Sequence, residues 1–294
     1  MPRALHSLKT FLALTLFLGN LLASCSTPSS QETTGTIVNK GSDTIVNLAL
    51  AWAEAYKGVE PQVDIAVTGG GSGTGIAALI NGTVDVANAS RQIKPVEREE
   101  AVANGVEPVE FVIARDAIAI IVHHSNPINE LSFDQLSDIY SGKINNWSEL
   151  GGEDRPIVKL SRESNSGTHV YFLEQVLRKG DREDLTLFSP DTLLLPSSEG
   201  IMSEVRDNPN ALGYDGLGYV TDDVKVIAVS RDQSGLYVLP SIETVNNAKY
   251  PISRDLYMYT AGEPTGRILA YLEWILQLDA QNIVSDLGFV PATP

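Results

Sequence analysis

Three tetrapeptides share one form: Gly41-Ser42-Asp43-Thr44, Gly71-Ser72-Gly73-Thr74 and Asn165-Ser166-Gly167-Thr168. Each follows a strand-like apolar run and opens a helix-like one, which is the punctuation of an α/β chain. A helix start carries backbone N–H groups without partners and the positive end of the helix dipole. Ser and Thr add hydroxyls, and Gly lets the backbone close on a ligand. One such start is an ordinary N-cap. Three of them, one with Arg162 four residues ahead of Ser166, point to a cage for a small oxyanion.

The surrounding pattern sets the architecture. Strand signals at 36–39, 62–68 and 84–89 alternate with helical ones at 44–57, 75–81 and 95–104, the last with Pro95 in its first turn. This order predicts a mainly parallel sheet covered on both faces, with ligands at the carboxyl ends of its strands. Residues 109–124 read as two strands parted by Arg115-Asp116, as if the chain crossed between domains there. A second α/β unit follows, with helices at 133–140, 166–179 and 200–207, a strand at 157–161 and a Gly-rich β segment at 212–220. Strands at 224–229 and 255–260 and one helix at 265–278 end the chain and are expected to complete the first domain.

Charge narrows the function. The 294 residues carry a formal net charge of −16, spread along the chain. Such a surface excludes nucleic-acid binding that depends on Lys and Arg neutralising phosphates. It would also repel any anion, so an anion site must be local and enclosed. Arg3, His6 and Lys9 followed by an apolar run at 11–18 form an export leader. Leu22-Ala23-Ser24-Cys25 has the form at which a leader is cut before a cysteine that receives lipid; the alternative is a plain secretory leader with an incidental cysteine. Cys25 is the sole cysteine and has no disulfide partner. Loss of Arg3 and Lys9 with the leader takes the charge to −18. Residues 26–35, rich in Ser, Thr and Pro, read as a flexible tether.

Enzyme chemistry finds little support. Ser72 lies near the G-x-S-x-G form, but Thr74 stands where the second Gly belongs. His123 and His124 are strand neighbours pointing to opposite faces, and His169 reads as a first-turn residue rather than a base. No His/Asp/Glu spacing suggests a metal, and no cofactor is expected. Arg162, by contrast, ends a strand beside Ser166, Gly167 and Thr168, where a planar guanidinium meets two ligand oxygens at once. A surface Arg162 paired with Glu163 is the alternative.

The run Gly71-Ser72-Gly73-Thr74-Gly75 is followed by Gly82-Thr83-Val84-Asp85-Val86-Ala87. Further on stand Leu136-Ser137-Asp138-Ile139-Tyr140-Ser141-Gly142-Lys143-Ile144-Asn145-Asn146-Trp147 and Arg162-Glu163-Ser164-Asn165-Ser166-Gly167-Thr168. With these the chain resembles the phosphate-binding proteins of bacterial ABC importers. The resemblance implies a type II periplasmic-binding fold, two α/β domains around a central cleft with two hinge crossings. It places the phosphate contacts on Ser42, Asp43, Thr44, Ser72, Arg91, Arg162, Ser166, Gly167 and Thr168. One departure stands out: Arg91 occupies the place of a carboxylate that accepts the ligand proton in the enteric type, and Asp43 replaces a Thr. Either Asp43 is the relocated acceptor and Arg91 an added cation, or Asp43 caps its helix and Arg91 pairs with a neighbour such as Glu97. A ligand role is the favoured expectation for Arg91.

The expected organisation is a leader at 1–24, a lipidated tether at 25–35, one domain from 36–114 plus 224–294, and a second from 115–223, hinged near Arg115 and Asp222. The expected function is capture of inorganic phosphate outside the cytoplasmic membrane and delivery to an ABC permease by a lipid-anchored monomer in the periplasm or at the cell surface. Sulfate or molybdate capture, phosphate sensing for a signalling partner, and a secreted phosphatase or esterase are the rival readings.

Overall fold

The computed structural model describes residues 35–233 and 235–292; the leader, Cys25 and the tether before Gly35 lie outside the described residues. β1 (Gly35–Gly41) runs into α1 (Asp43–Val59), β2 (Val63–Thr68) into α2 (Ser72–Ile80), and β3 (Val86–Ala89) precedes α3 (Pro95–Ala103). Then come β4 (Val109–Val122), β5 (Glu130–Ser132), α4 (Phe133–Tyr140), β6 (Val158–Arg162) and α5 (Gly167–Phe172), which continues as a π-helical turn, Leu173–Leu177. β7 (Leu193–Leu195), α6 (Ser198–Asp207), β8 (Ala211–Gly216), β9 (Lys225–Ser230) and α7 (Ile242–Asn246) follow. β10 (Ser253–Thr260), α8 (Gly266–Ile275), α9 (Leu278–Asp286) and β11 (Val290–Pro291) end the described chain.

The strands join in the order β2-β1-β3-β10-β4-β8-β6-β7, with β9 and β11 also on β4, and β5 on β9. β1 pairs in parallel with β2 and β3, and β6 in parallel with β7 and β8, so each α/β unit has the expected sense. β10 is antiparallel to both β3 and β4, which brings the end of the chain back beside its beginning.

Residues 109–122 form one strand, not two. Its first half pairs with β10 and its second, from Ile118, with β8 and β9. Arg115 and Asp116 do not interrupt it because both polar side chains find partners. Arg115 Nη2 donates to Asn246 Oδ1, and buried Asp116 faces Arg254. The Gly-rich segment is β only to Gly216 and then turns as a 3-10 helix, Leu217–Tyr219. The final helix ends at Ile275, and a further helix, α9, follows it.

The site is held from two sides. Ile45, Leu48, Ala49, Trp52 and Tyr56 form the buried stripe of α1, at helical spacing, and Trp52 Nε1 donates to Ala280 O of α9 (2.9 Å). Truncating such an indole costs about 3–5 kcal/mol. In the second unit Phe172 of α5 stacks on Tyr214 of β8, ring centroids 3.7 Å apart. Tyr140 OH donates to Leu160 O of β6 and Leu212 O of β8 (3.0 and 3.2 Å). The ends of β6 and α5, where Arg162 and Ser166 stand, are thus fixed by packing. Among the described residues no helix is long and apolar enough to cross a membrane.

Candidate functional site

The three turns converge. Thr44 Oγ1 and Thr168 Oγ1 share a hydrogen bond of 2.9 Å, linking the start of α1 to that of α5. Gly73 N donates to Asn165 O (3.0 Å), and Asn165 Nδ2 donates to Gly70 O (2.9 Å), linking α2 to the same α5 start. Two glycines make this approach possible. A Cβ on Gly41, at φ 148°, would lie 2.1 Å from Asn88 O, and one on Gly167 would lie 2.4 Å from Ser72 Oγ and 2.5 Å from Ser90 Oγ.

The N-caps differ among the turns. Ser166 Oγ accepts from Thr168 N (3.2 Å), but Ser42 and Gly71 form no side-chain cap on α1 or α2. Those first-turn N–H groups are left to other partners. Ser42, Thr44, Ser72, Ser166 and Thr168 are all buried, and Ser72 Oγ accepts from Ser90 N (3.0 Å). Among the described residues no imidazole hydrogen-bonds Ser72: His169 bonds Ser161, His123 bonds Ser125, and His124 meets Asp222 O. A serine without a base has no means of shedding its proton.

Arg162 is 1% exposed and points into the gathering of turns, away from Glu163. Its Nη2 donates to Asp43 Oδ2 (2.5 Å) and Pro196 O (2.8 Å), its Nη1 to Ser198 Oγ (2.8 Å), and Asp215 lies 3.6 Å away. Asp43 does not cap: it is the first residue of α1, and its other oxygen accepts from Gly70 N at 3.3 Å. The carboxylate therefore ties the first turn to the second and to Arg162.

Arg91 stands beside this cluster with its fork turned elsewhere. Its Nη1 and Nη2 donate to Glu97 Oε2 and Oε1 (2.8 and 2.6 Å), the pairing weighed in the sequence against the favoured ligand role. Glu97 suits the fork because it is already oriented, Oε2 accepting from Lys94 N (2.8 Å) at the start of α3. Burial would raise the Glu97 pKa, but the hydrogen bonds from Arg91 and the Lys94 backbone leave it lowered.

Sequence reasoning missed a third buried guanidinium, beside Arg162 and Arg91. Arg254 Nη2, on β10, donates to Asp116 Oδ2 (2.9 Å), Thr168 Oγ1 (3.0 Å) and Thr44 Oγ1 (3.3 Å). It thus lies under the Thr44–Thr168 link. The one signal was an arginine at the head of an apolar run. Burial lifts Asp116 to about 6 against the pull of Arg254, and nearby Asp215 adds to the rise. Burial also raises Asp215, opposed chiefly by Arg162. Two guanidiniums thus face three carboxylates: Asp43, Asp116 and Asp215. The cluster has no surplus of positive charge, and its capacity for an anion rests on directed hydrogen bonds and helix starts. Among the described residues no group of His, Cys, Asp and Glu could hold a metal.

The chain matches known proteins along most of its length. The model of the PBP superfamily domain matches residues 26–278. The phosphate-binding protein PstS of Pseudomonas aeruginosa is 33% identical over 274 residues, which cover 87% of this chain and 83% of that one. PstS of Bacillus subtilis is 32% identical, with coverage of 91% and 84%. Among solved structures, a phosphate ABC transporter substrate-binding protein of Clostridium perfringens with bound phosphate aligns at a TM-score of 0.78 and 32% identity, over 88% of this chain and all of that one. An ABC-type phosphate transport receptor from Vibrio cholerae aligns at 0.69 and 26%, over 87% of this chain and all of its own.

Proposed function

The chain belongs to the PBP superfamily and, within it, to the phosphate-binding PstS proteins, and on that premise we propose that it captures inorganic phosphate outside the cytoplasmic membrane for an ABC importer. Its fold is of the type II periplasmic-binding kind, and its relatives are transport receptors rather than enzymes. The observation that carries the reading is the meeting of three strand-to-helix turns over Arg162 and Arg254.

In this reading phosphate is held by first-turn N–H groups at Ser42-Asp43-Thr44, at Ser72 and at Ser166-Gly167-Thr168, by the hydroxyls there, and by Arg162. Arg91 stands next to this set. Asp43, oriented in advance by Arg162 and Gly70 N, is the group that accepts the ligand proton. Phosphate keeps a proton at neutral pH and sulfate does not, so the same carboxylate welcomes one and repels the other. A site built around a ligand O–H rejects an analogue lacking it by roughly 10⁴-fold. Residues 36–114 with 224–294 form one domain and 115–223 the other, closing about crossings near Arg115 and Asp222. The protein works as a monomer tethered by lipid at Cys25, which incorporation of labelled fatty acid at that residue tests.

Calorimetric titration of the mature protein with phosphate, arsenate, sulfate and molybdate tests the whole reading. Tight binding of phosphate and its protonated analogue arsenate, with sulfate and molybdate far weaker, is the expected result. A preference for sulfate or molybdate would overturn it.

A further inference from the structure

The glycine run at the head of α2 closes on a residue outside the ligand set. Gly73 N donates to Asn165 O (3.0 Å). Asn165 Nδ2 in turn donates to Gly70 O (2.9 Å) and to Thr74 Oγ1 (3.3 Å). A Cβ on Gly71, at φ 90°, would lie 2.8 Å from Asn165 O, and one on Gly73 would lie 3.3 Å from it. A larger residue at 71 would hold the two segments apart. The orientation of the Asn165 amide is set by Gly70 O, which can only accept.

Asn165 stands just ahead of α5, in the half of the sheet built on β8, β6 and β7, whereas α2 joins β2 to β3 in the half built on β2, β1 and β3. Other bonds between these halves are of a different kind. Thr44 with Thr168, and Asp43 with Arg162, are links between groups assigned to the ligand itself. A phosphate entering the cage claims those hydroxyls and that fork, so the same bonds cannot also hold the halves together. Asn165 is exposed, and Gly70, Gly73 and Thr74 are not among the ligand contacts. Its three bonds are compatible with a filled cage and with an empty one.

We propose that Asn165 is a latch on the closed cage, a positioning residue that sets how long phosphate stays without touching it. This deepens the reading of the cage as a phosphate site between two closing halves and rests on it. Release requires the halves to part, and parting breaks the Asn165 bonds as well as those made by the ligand. Capture by an open cage does not wait on them, because they form only as the halves meet. The latch therefore acts on release, the step in which most variants of one complex differ. It acts on phosphate and on arsenate alike, since it contacts neither.

Rapid mixing of the mature protein with radiolabelled phosphate, followed by a chase with unlabelled phosphate, gives association and release rates separately. Asn165→Ala removes both side-chain bonds and keeps that of Gly73 N, so release should speed up by about fivefold with association unchanged. Asn165→Asp turns an acceptor towards Gly70 O and should release at least as fast. Thr74→Val, which removes only the 3.3 Å bond, should give a smaller increase. The phosphate-to-arsenate affinity ratio should keep its wild-type value in all three variants. Unchanged release in both N165A and N165D would overturn the latch. So would a changed ratio, which would make Asn165 a contact of the ligand, and so would slower association at unchanged release. A wild type that takes up no phosphate would overturn the reading of the cage and the latch with it, an outcome visible before any variant is made.

Discussion

Arg162 and Arg254 are 1% and 6% exposed, and each is ion-paired to a carboxylate; Lys94, Arg178 and Arg182 are half-buried or exposed and make no ion pair among the described residues. The contrast follows from solvation. An unpaired guanidinium taken out of water costs several kcal/mol, so burial forces a counter-charge on it. A cation at the surface keeps its hydration and needs no partner. Burial and pairing therefore go together in the cage, and its guanidiniums are held in place by the carboxylates that compensate them.

The comparison breaks most sharply at Arg162. Arg162→Ala leaves Asp43 and Asp215 without their cation and the ligand without its fork. Truncating one partner of a buried, hydrogen-bonded charge pair costs about 2–5 kcal/mol, so phosphate affinity should fall by well over tenfold. Calorimetry on R162A that returns wild-type affinity would place the ligand elsewhere.

Asp116 tests the same burial through pH. Its folded pKa of about 6 lies above the ordinary 3.8, so the folded chain holds this proton more tightly than the unfolded one. The resulting stabilisation is complete below pH ~3.8 and is lost as pH rises through about 6, roughly 3 kcal/mol across the window. Asp215, also raised by burial, acts in the same direction. Denaturant unfolding between pH 4 and 7 should show stability falling with pH in the wild type and a much flatter curve in Asp116→Asn. Equal slopes in the two proteins would mean that Asp116 titrates as an ordinary carboxylate.

The smallest effect is the most selective. Asp43→Asn keeps one oxygen acceptor, for Arg162 Nη2 or for Gly70 N but not for both, and removes the charge that receives the ligand proton. Losing a hydrogen bond to a charged group costs about 1.5 kcal/mol, so phosphate should weaken by roughly tenfold while the phosphate-to-sulfate ratio narrows. Parallel titrations of both anions at one ionic strength decide this, and an unchanged ratio would remove Asp43 from the role.

What could be read from the sequence was local. The turns at Ser42, Ser72 and Ser166 announce themselves because strand, glycine, hydroxyl and helix follow within a few residues. Their meeting needs contacts such as Thr44 with Thr168, 124 positions apart, and no periodicity encodes that. Arg254 escaped notice for the same reason: it serves Thr44 from 210 residues away. Asp116 was misread as a break because a carboxylate in an apolar run looks like an interruption until its arginine is seen. Arg91 and Glu97, six residues apart, were both in view, but nothing short of the folded turn could say which of two partners the fork would choose.

Among the described residues β4 is the one strand that runs through both halves of the sheet, bonded to β10 up to Ala117 and to β8 from Ile118. Mechanically it is a torsion bar clamped at each end. If the halves turn against each other, the twist falls on the Ala117–Ile118 junction, where β4 changes partners one residue from Asp116, and on the register shift between Leu256 and Tyr257 of β10. Arg254, anchored at that junction and touching Thr44 and Thr168, would register the rotation first. The spring and the grip of this receptor would then be parts of a single device.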